Sequence, residues 1–133
     1  MKNIILFIAV LLFTISSFAQ TKTIDENLTQ LMSAKNGLVG VENVATKMSQ
    51  GISNENNKTV FITGVENLKT EFMQNALSEL KREFSNDDVI AIYNEFTSDK
   101  IVYEDRTVNF FAKFRKLKGQ YFKSVKELFV ENR

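Results

Sequence analysis

The sequence predicts an all-α fold, a small bundle of about five helices, and three observations lead to that prediction. The chain has 133 residues, with no Pro and only 5 Gly, whereas sandwiches and barrels use both residue types in their many turns. Apolar residues recur every three or four positions over most of the chain, which is the spacing of one helix face. Several of these stripes follow a Ser or Thr with an acid three residues later, as helix starts often do.

Residues 1–19 have the organisation of a secretory signal peptide. Lys2 precedes an apolar run over residues 4–13, and a small-residue site follows at residues 17–19. We expect cleavage after residue 19, which leaves residues 20–133 as a single all-α domain. The alternative is an uncleaved membrane anchor, but a spanning helix needs about 20 apolar residues and this run is shorter. We therefore expect an exported bacterial protein, periplasmic or secreted.

The first helix begins at Thr23, whose hydroxyl can accept from the amide three residues later while Glu26 reaches back. Gly37 ends this helix, as Gly commonly does at the position after a helix. A second helix follows and weakens at Gly51. The apolar positions are Ile24, Leu28, Leu31 and Met32 in the first helix and Val41, Val44, Met48 and Ile52 in the second.

Between the second and third helices, residues 53–58 are polar and rich in Asn, which predicts a loop. Residues 59–63 are rich in β-branched side chains but have no partner strand, so we expect an extended lead-in whose Phe61 packs on the core. A second capping box at Thr63 then begins the third helix. Its apolar stripe is Val65, Leu68, Phe72, Ala76, Leu80 and Phe84.

Two further helices complete the predicted bundle. Ser85 caps the fourth helix, and Asp87 and Asp88 lie at its amino end, where the helix dipole favours negative charge. Ser98 begins the last helix, which Gly119 can kink or divide. The apolar positions are Val89, Ile92, Tyr93 and Phe96 in the fourth helix and Val102, Phe110, Phe114, Leu117, Tyr121, Val125 and Leu128 in the last.

The composition excludes several kinds of site. The chain has no Cys and no His, which excludes disulfides, Cys/His zinc sites and catalytic Ser–His or Cys–His pairs. Its 17 basic and 16 acidic residues nearly cancel, so net charge gives no general attraction for nucleic acid. The acid pairs 87–88 and 104–105 are explained by a helix start and a solvated face, because adjacent helical residues point in different directions. We expect no catalytic residue, no cofactor, no metal and no nucleic-acid partner.

Six cations in the last helix form the strongest local charge signal. No acid occurs over residues 112–126, and aromatic residues alternate with the cations. Such a basic amphipathic helix is able to lie on an anionic membrane surface. The alternative is a core stripe with a solvated lysine face, because the same stripe is needed to close the bundle. We name these six residues the basic face: Lys113, Arg115, Lys116, Lys118, Lys123 and Lys126.

Two short motifs, FSNDDV and FTSD, occur between residues 84 and 101. They resemble the helix start F-T-x-x-E-L and the junction Y-x-S-P-x-G of the DUF2059 family of exported bacterial helical proteins. Ser98 takes the capping place of the junction. Asp99 stands where Pro is usual in the family, and Ile101 stands where Gly is usual. The resemblance implies an exported helical protein and assigns no functional residue.

These observations lead to three functional hypotheses. The first is a non-catalytic protein that binds a protein, an envelope component or an apolar ligand through a helical surface or an inter-helix groove; the absent catalytic residue types and the 12 Phe motivate it. The second is a peripheral membrane-surface protein that uses the basic face. The third is an enzyme with a carboxylate-based or metal-assisted site. An open groove lined by Phe and Tyr would favour ligand binding.

Overall fold

The computed structural model describes residues 22–133, and within that range the chain forms five α-helices, one short 3-10 helix and no strand. The all-α prediction is therefore confirmed. The predicted signal peptide lies outside the described residues. Among the helices of residues 22–133, none combines the length and the hydropathy needed to cross a lipid bilayer. The elements are α1 Ile24–Ser33, the 3-10 helix Ala34–Asn36, α2 Val39–Gln50, α3 Glu55–Glu83, α4 Asn86–Thr97 and α5 Asp105–Asn132.

The two long helices, α3 and α5, run antiparallel at the centre of the bundle. Phe61, near the start of α3, packs edge-on against Phe129 near the end of α5, with ring centroids 5.9 Å apart. Phe84, which follows α3, packs edge-on against Phe110 near the start of α5 at 5.3 Å. Aromatic pairs of this geometry contribute about 0.5–1.5 kcal/mol each beyond their burial. These contacts at both ends fix the register of the pair.

The three shorter helices cover the sides of this pair. α1 packs on α3 and α4, α2 packs on α3 and α5, and α4 also packs on α5. One hydrophobic core receives side chains from all five helices. Its fully buried members include Leu28, Leu31, Met32, Ile52, Phe61, Leu80, Val89, Ile92, Phe110 and Val125.

The start of α4 agrees with the sequence prediction. The Asp88 amide donates to the Ser85 hydroxyl at 3.2 Å, and the Ser85 amide donates to the Asp88 carboxylate at 3.1 Å. The hydrogen bond from the Ser85 amide is the main cause that lowers the pKa of Asp88, and hydrogen bonding to the Ser85 side chain is the second. Both favour the charged carboxylate. This acid is therefore part of a helix start, as expected.

The third helix begins earlier than the sequence predicts. Asn54 caps it by accepting from the Asn57 amide at 3.0 Å, and residues 55–63, predicted as a loop and an extended lead-in, are helical. Thr63 lies inside the helix and caps nothing. Phe61 is fully buried as predicted, but it projects from a helix. Burial of this ring outweighs the weak β preference of its neighbours, because propensities are small beside tertiary packing.

The last helix begins later than the sequence predicts. Ser98 ends α4, and its hydroxyl donates to the Glu95 carbonyl at 2.6 Å. The buried Glu95 carboxylate accepts from the Glu104 amide at 2.5 Å and from the Thr107 hydroxyl at 3.1 Å. We name this pair of hydrogen bonds the Glu95 clamp; it holds the first turn of α5 against α4. Val102, predicted in the buried stripe, lies in the preceding loop and is 82 % exposed.

Two glycines behave differently from expectation. Gly119 does not divide α5, which is continuous over Asp105–Asn132. Gly37 follows the 3-10 helix with an ordinary φ of −53°, so it is not the left-handed residue of a typical helix stop. Lys35 takes that conformation instead, with φ of 48°.

Candidate ligand-binding groove

A groove of about 390 Å³ opens between the 3-10 helix, the α4–α5 loop and α5. Four aromatic side chains line it: Phe96, Tyr103, Phe111 and Phe114. The Phe96 ring lies 4.4 Å from the Phe111 ring and 6.2 Å from the Tyr103 ring, measured between centroids. Small-molecule sites typically have volumes of about 300–1,000 Å³, so this groove is large enough for a small ligand. We name it the aromatic groove.

The walls of the aromatic groove are held in place by the Glu95 clamp. Phe96 lies near the end of α4 and directly follows Glu95 in the chain. Tyr103 lies in the loop and directly precedes Glu104, whose amide donates to the Glu95 carboxylate. The hydrogen bond that starts α5 therefore also fixes the loop wall of the groove relative to the α4 wall.

Three cations line the groove together with the rings: Lys35, Arg115 and Lys118. The Lys35 ammonium lies 4.8 Å from the centroid of the Phe96 ring, and the Lys118 ammonium lies 5.7 Å from that of Phe114. No carboxylate lines the groove, and within residues 22–133 none of the three cations has an ion-pair partner. The groove therefore combines an apolar aromatic lining with unneutralised positive charge.

Lys35 reaches the groove through an unusual backbone conformation. Its φ of 48° and ψ of 39° lie in the left-handed region, which costs about 1 kcal/mol or more for a residue with a Cβ. The Lys118 ammonium donates to the Gly37 carbonyl at 3.1 Å, which ties this turn to α5. The turn thereby brings a cation from the amino-terminal part of the chain beside the rings of α4 and α5.

The structure divides the residues of the basic face. Arg115 and Lys118 lie in the aromatic groove. Lys113 forms ion pairs with two carboxylates of α3, Glu83 at 2.5 Å and Glu79 at 3.7 Å. The remaining three cations are exposed and lie outside the groove: Lys116, Lys123 and Lys126.

Lys35 and Tyr103 were not predicted from the sequence as parts of a site. Neither belongs to an apolar stripe, and each lies in a connection between helices. No local signal identifies Lys35, because the Lys-Asn-Gly sequence predicts the left-handed conformation at Asn or Gly and not at Lys. The local sequence also does not show which distant residues lie beside this turn.

A second groove, of about 420 Å³, lies between α2, α3 and α5 and has a different character. Glu42, Glu66 and Lys69 all line it, and Lys69 pairs with Glu42 at 2.6 Å. The hydrogen bond to Glu42 raises the pKa of Lys69. Tyr121 also lines this groove; its hydroxyl is buried and has no hydrogen-bond partner within residues 22–133. Because both signs of charge are present, this groove favours neither charge in a ligand.

No known family model, curated protein or solved structure matches this chain. The resemblance to the DUF2059 family stays a prediction. Among residues 22–133, no three acidic side chains come together in an arrangement that could hold a metal ion.

Proposed function

We propose that this protein is a non-catalytic binding module that holds a small apolar ligand in the aromatic groove. The observation that carries this proposal is the set of rings that meet in one open depression, three of which remain partly exposed: Phe96, Tyr103 and Phe111. Ligand sites are commonly concave and mostly apolar, with a few polar groups that orient the ligand. The aromatic groove has this character, whereas the second groove is lined by charges of both signs.

The hydrophobic effect supplies the driving force for such binding. Each Å² of apolar surface removed from water stabilises the complex by about 25 cal/mol. The Glu95 clamp holds the two walls before any ligand arrives. A site formed in advance loses little free energy in ordering its side chains when the ligand binds.

The neutral aromatic dye N-phenyl-1-naphthylamine, whose fluorescence rises in apolar surroundings, tests this proposal. Ala112 lines the groove from α5, so Ala112→Leu places a larger side chain in it with only a small loss of helix propensity. We expect the variant to bind the dye about tenfold more weakly, which corresponds to about 1.4 kcal/mol.

Asn109→Leu is the matched control, because it adds the same side chain at an exposed position of α5 outside the groove. We expect this control to bind the dye as the unaltered protein does. All three proteins share the same amino-terminal residues, so dye bound there contributes equally to each titration. Equal affinity in all three proteins, or no binding in any of them, would refute the proposal.

A second candidate function is peripheral association with an anionic membrane. It is favoured by the three exposed cations of the basic face that lie outside the groove, in a stretch without acids. Each such cation near an anionic surface contributes about 1 kcal/mol. Flotation with phosphatidylserine-containing vesicles at low salt is expected, and the combined change of Lys116, Lys123 and Lys126 to Gln should abolish it. Flotation that the triple variant retains would contradict this function.

We also propose that the protein is exported and that residues 1–19 are removed as a signal peptide. The single basic residue, the apolar run and the small-residue site support this. Expression of the whole gene in a bacterial host, followed by mass measurement, is the test. A periplasmic or secreted product that lacks residues 1–19 is expected, whereas a cytosolic product of full mass would contradict export.

A further inference from the structure

We propose that the ligand of the aromatic groove carries an anionic group, a carboxylate, sulfonate or phosphate, at one end of its apolar body. This inference rests on the proposed function and adds the chemical class of the ligand. It follows from the cationic side chains that line the groove and from the hydrogen-bond donors of these side chains that have no acceptor in the described part of the chain.

The positive charge of the groove is local. The whole chain has 17 basic and 16 acidic residues, yet among residues 22–133 the groove is lined by three cations and no acid. Lys113, two residues before Arg115 on the same helix, provides a comparison. It is neutralised by two carboxylates of α3, whereas the cations of the groove have no such partner within residues 22–133. An anion that enters the groove therefore displaces no ion pair.

The three cations also have hydrogen-bond donors to offer. An ammonium has three donors, and Lys118 uses one of them on the Gly37 carbonyl. The Arg115 guanidinium is exposed and has five donors in a planar fork, a geometry that fits a carboxylate or a phosphate. Lys35 lies over the Phe96 ring, and this cation–π contact keeps its ammonium beside the groove.

The rings and the cations therefore meet at one place, so a single ligand can contact both. An apolar body would cover the partly exposed rings, and an anionic end group would lie among the three ammonium and guanidinium groups. Each cation contributes a modest and salt-dependent attraction for an anion. Since three cations line one groove, we expect them together to increase the affinity for an anionic ligand more than any one of them does.

Two dyes with one skeleton test the anionic class directly. N-Phenyl-1-naphthylamine is neutral, and 1-anilinonaphthalene-8-sulfonate is the same molecule with one sulfonate added. At low salt we expect the sulfonate to bind about tenfold more tightly. In about 1 M salt, where the Debye length falls to about 3 Å, the affinity of the sulfonate dye should fall towards that of the neutral dye. The affinity of the neutral dye should not fall.

Arg115→Gln removes one cation of the groove and should weaken binding of the sulfonate about two- to fivefold, with no effect on the neutral dye. Lys116→Gln is the matched control: it removes the same charge one residue along α5, at an exposed position outside the groove. We expect it to leave both affinities unchanged. Lys35→Gln should act like Arg115→Gln, although Lys35 lies in a different part of the sequence. Equal weakening by the Lys116 control would indicate general surface attraction and overturn the inference.

The dye pair separates failure of this inference from failure of the proposed function. If the neutral dye binds and Ala112→Leu weakens it, but the sulfonate binds no more tightly, the groove takes apolar ligands without a preference for anions. If neither dye binds, both proposals fail.

Displacement of the bound sulfonate dye then distinguishes the sources of the anionic group. Decanoate, decyl phosphate and decanol share one alkyl chain and differ only in the end group. Displacement by decanoate indicates a fatty-acid carboxylate, and displacement by decyl phosphate indicates a phosphate monoester. Decanol that competes as strongly as both anions would overturn the inference.

Discussion

Replacing Tyr121 with Phe removes one buried oxygen atom and leaves the surrounding core in place. Tyr121 is 5 % exposed, and its ring stacks on Phe72 with centroids 5.0 Å apart. Its hydroxyl has no hydrogen-bond partner within residues 22–133. A buried polar group without a partner costs about 1–3 kcal/mol. Because Phe retains the stacked ring, we expect Tyr121→Phe to raise the free energy of unfolding by about 1 kcal/mol or more.

The same substitution should also change how stability depends on pH. Burial, above all, raises the pKa of Tyr121 above its ordinary value of 10.0; Lys69 lowers it, while Glu42 and Glu66 raise it further. Above that value the unfolded chain loses the phenol proton more readily than the folded chain does. The unfolded state then binds fewer protons, so the stability of the unaltered protein falls as the pH rises. Phe does not titrate, so the advantage of the variant should widen at alkaline pH.

Urea denaturation followed by far-ultraviolet circular dichroism measures both effects. The free energies of unfolding of the two proteins are compared near neutral pH and again above the ordinary pKa of tyrosine. Lys69 titrates in both proteins, so its contribution largely cancels in the difference. A Tyr121→Phe variant that is less stable at both pH values would show that the hydroxyl gains a hydrogen bond in solution, and the reasoning would be wrong.

Three further predictions are checked by the same urea measurement. Gly119→Ala should stabilise α5 by about 1 kcal/mol, because an added Cβ meets no atom within 4 Å. Gly37→Ala should instead destabilise the protein, because its Cβ would collide with the Met32 carbonyl. Equal effects of the two substitutions on the free energy of unfolding would contradict this contrast. Glu95→Ala should cost about 2 kcal/mol, since two donors lose their acceptor; a neutral result would mean that the clamp contributes nothing. Ser85→Ala should cost about 1 kcal/mol near neutral pH. Most of that cost should persist at low pH, because the Asp88 amide loses its acceptor whether or not the Asp88 carboxylate is charged. Only the smaller contribution of the Ser85 side chain to the lowered Asp88 pKa should disappear below the ordinary value of 3.8, since the backbone amide of residue 85, the larger cause, is retained. A variant as stable as the unaltered protein near neutral pH would argue against the capping box.

The parts of the fold that the sequence predicts are those that depend on neighbouring residues. The capping box of α4 involves Ser85 and Asp88 alone, and the apolar stripe of α3 follows from helical periodicity. The start of α3 was not predictable in this way. The β-branched residues around Phe61 suggested extended backbone, but burial of that ring against Phe129 across the bundle favours a helix.

The start of α5 could not be predicted for a similar reason. It depends on a carboxylate in the preceding helix, Glu95, which lies 9 residues from one of its hydrogen-bond partners and 12 from the other. Nothing in the local sequence distinguishes this acid from solvated ones. Ser98 offered a plausible cap, and only the three-dimensional contact decides against it.

The aromatic groove was half predictable. Arg115 and Lys118 belong to the basic face, and the aromatic residues of α5 were recognised as part of its stripe. Lys35 lies far from them in the sequence and reaches the groove only because its backbone turns back after α1. Charge patterning along one helix cannot show which cations are neutralised by another helix, as Lys113 is, and which are not.

The loop between α4 and α5 offers a convenient place for a reporter group. It is anchored at both ends, by the Ser98 hydroxyl and by the Glu95 clamp, and residues 99–102 between them are all exposed. Val102 directly precedes Tyr103 of the groove, and the chain contains no Cys. Val102→Cys would therefore give one thiol for a fluorescent label beside the groove, at a side chain whose replacement disturbs no packing.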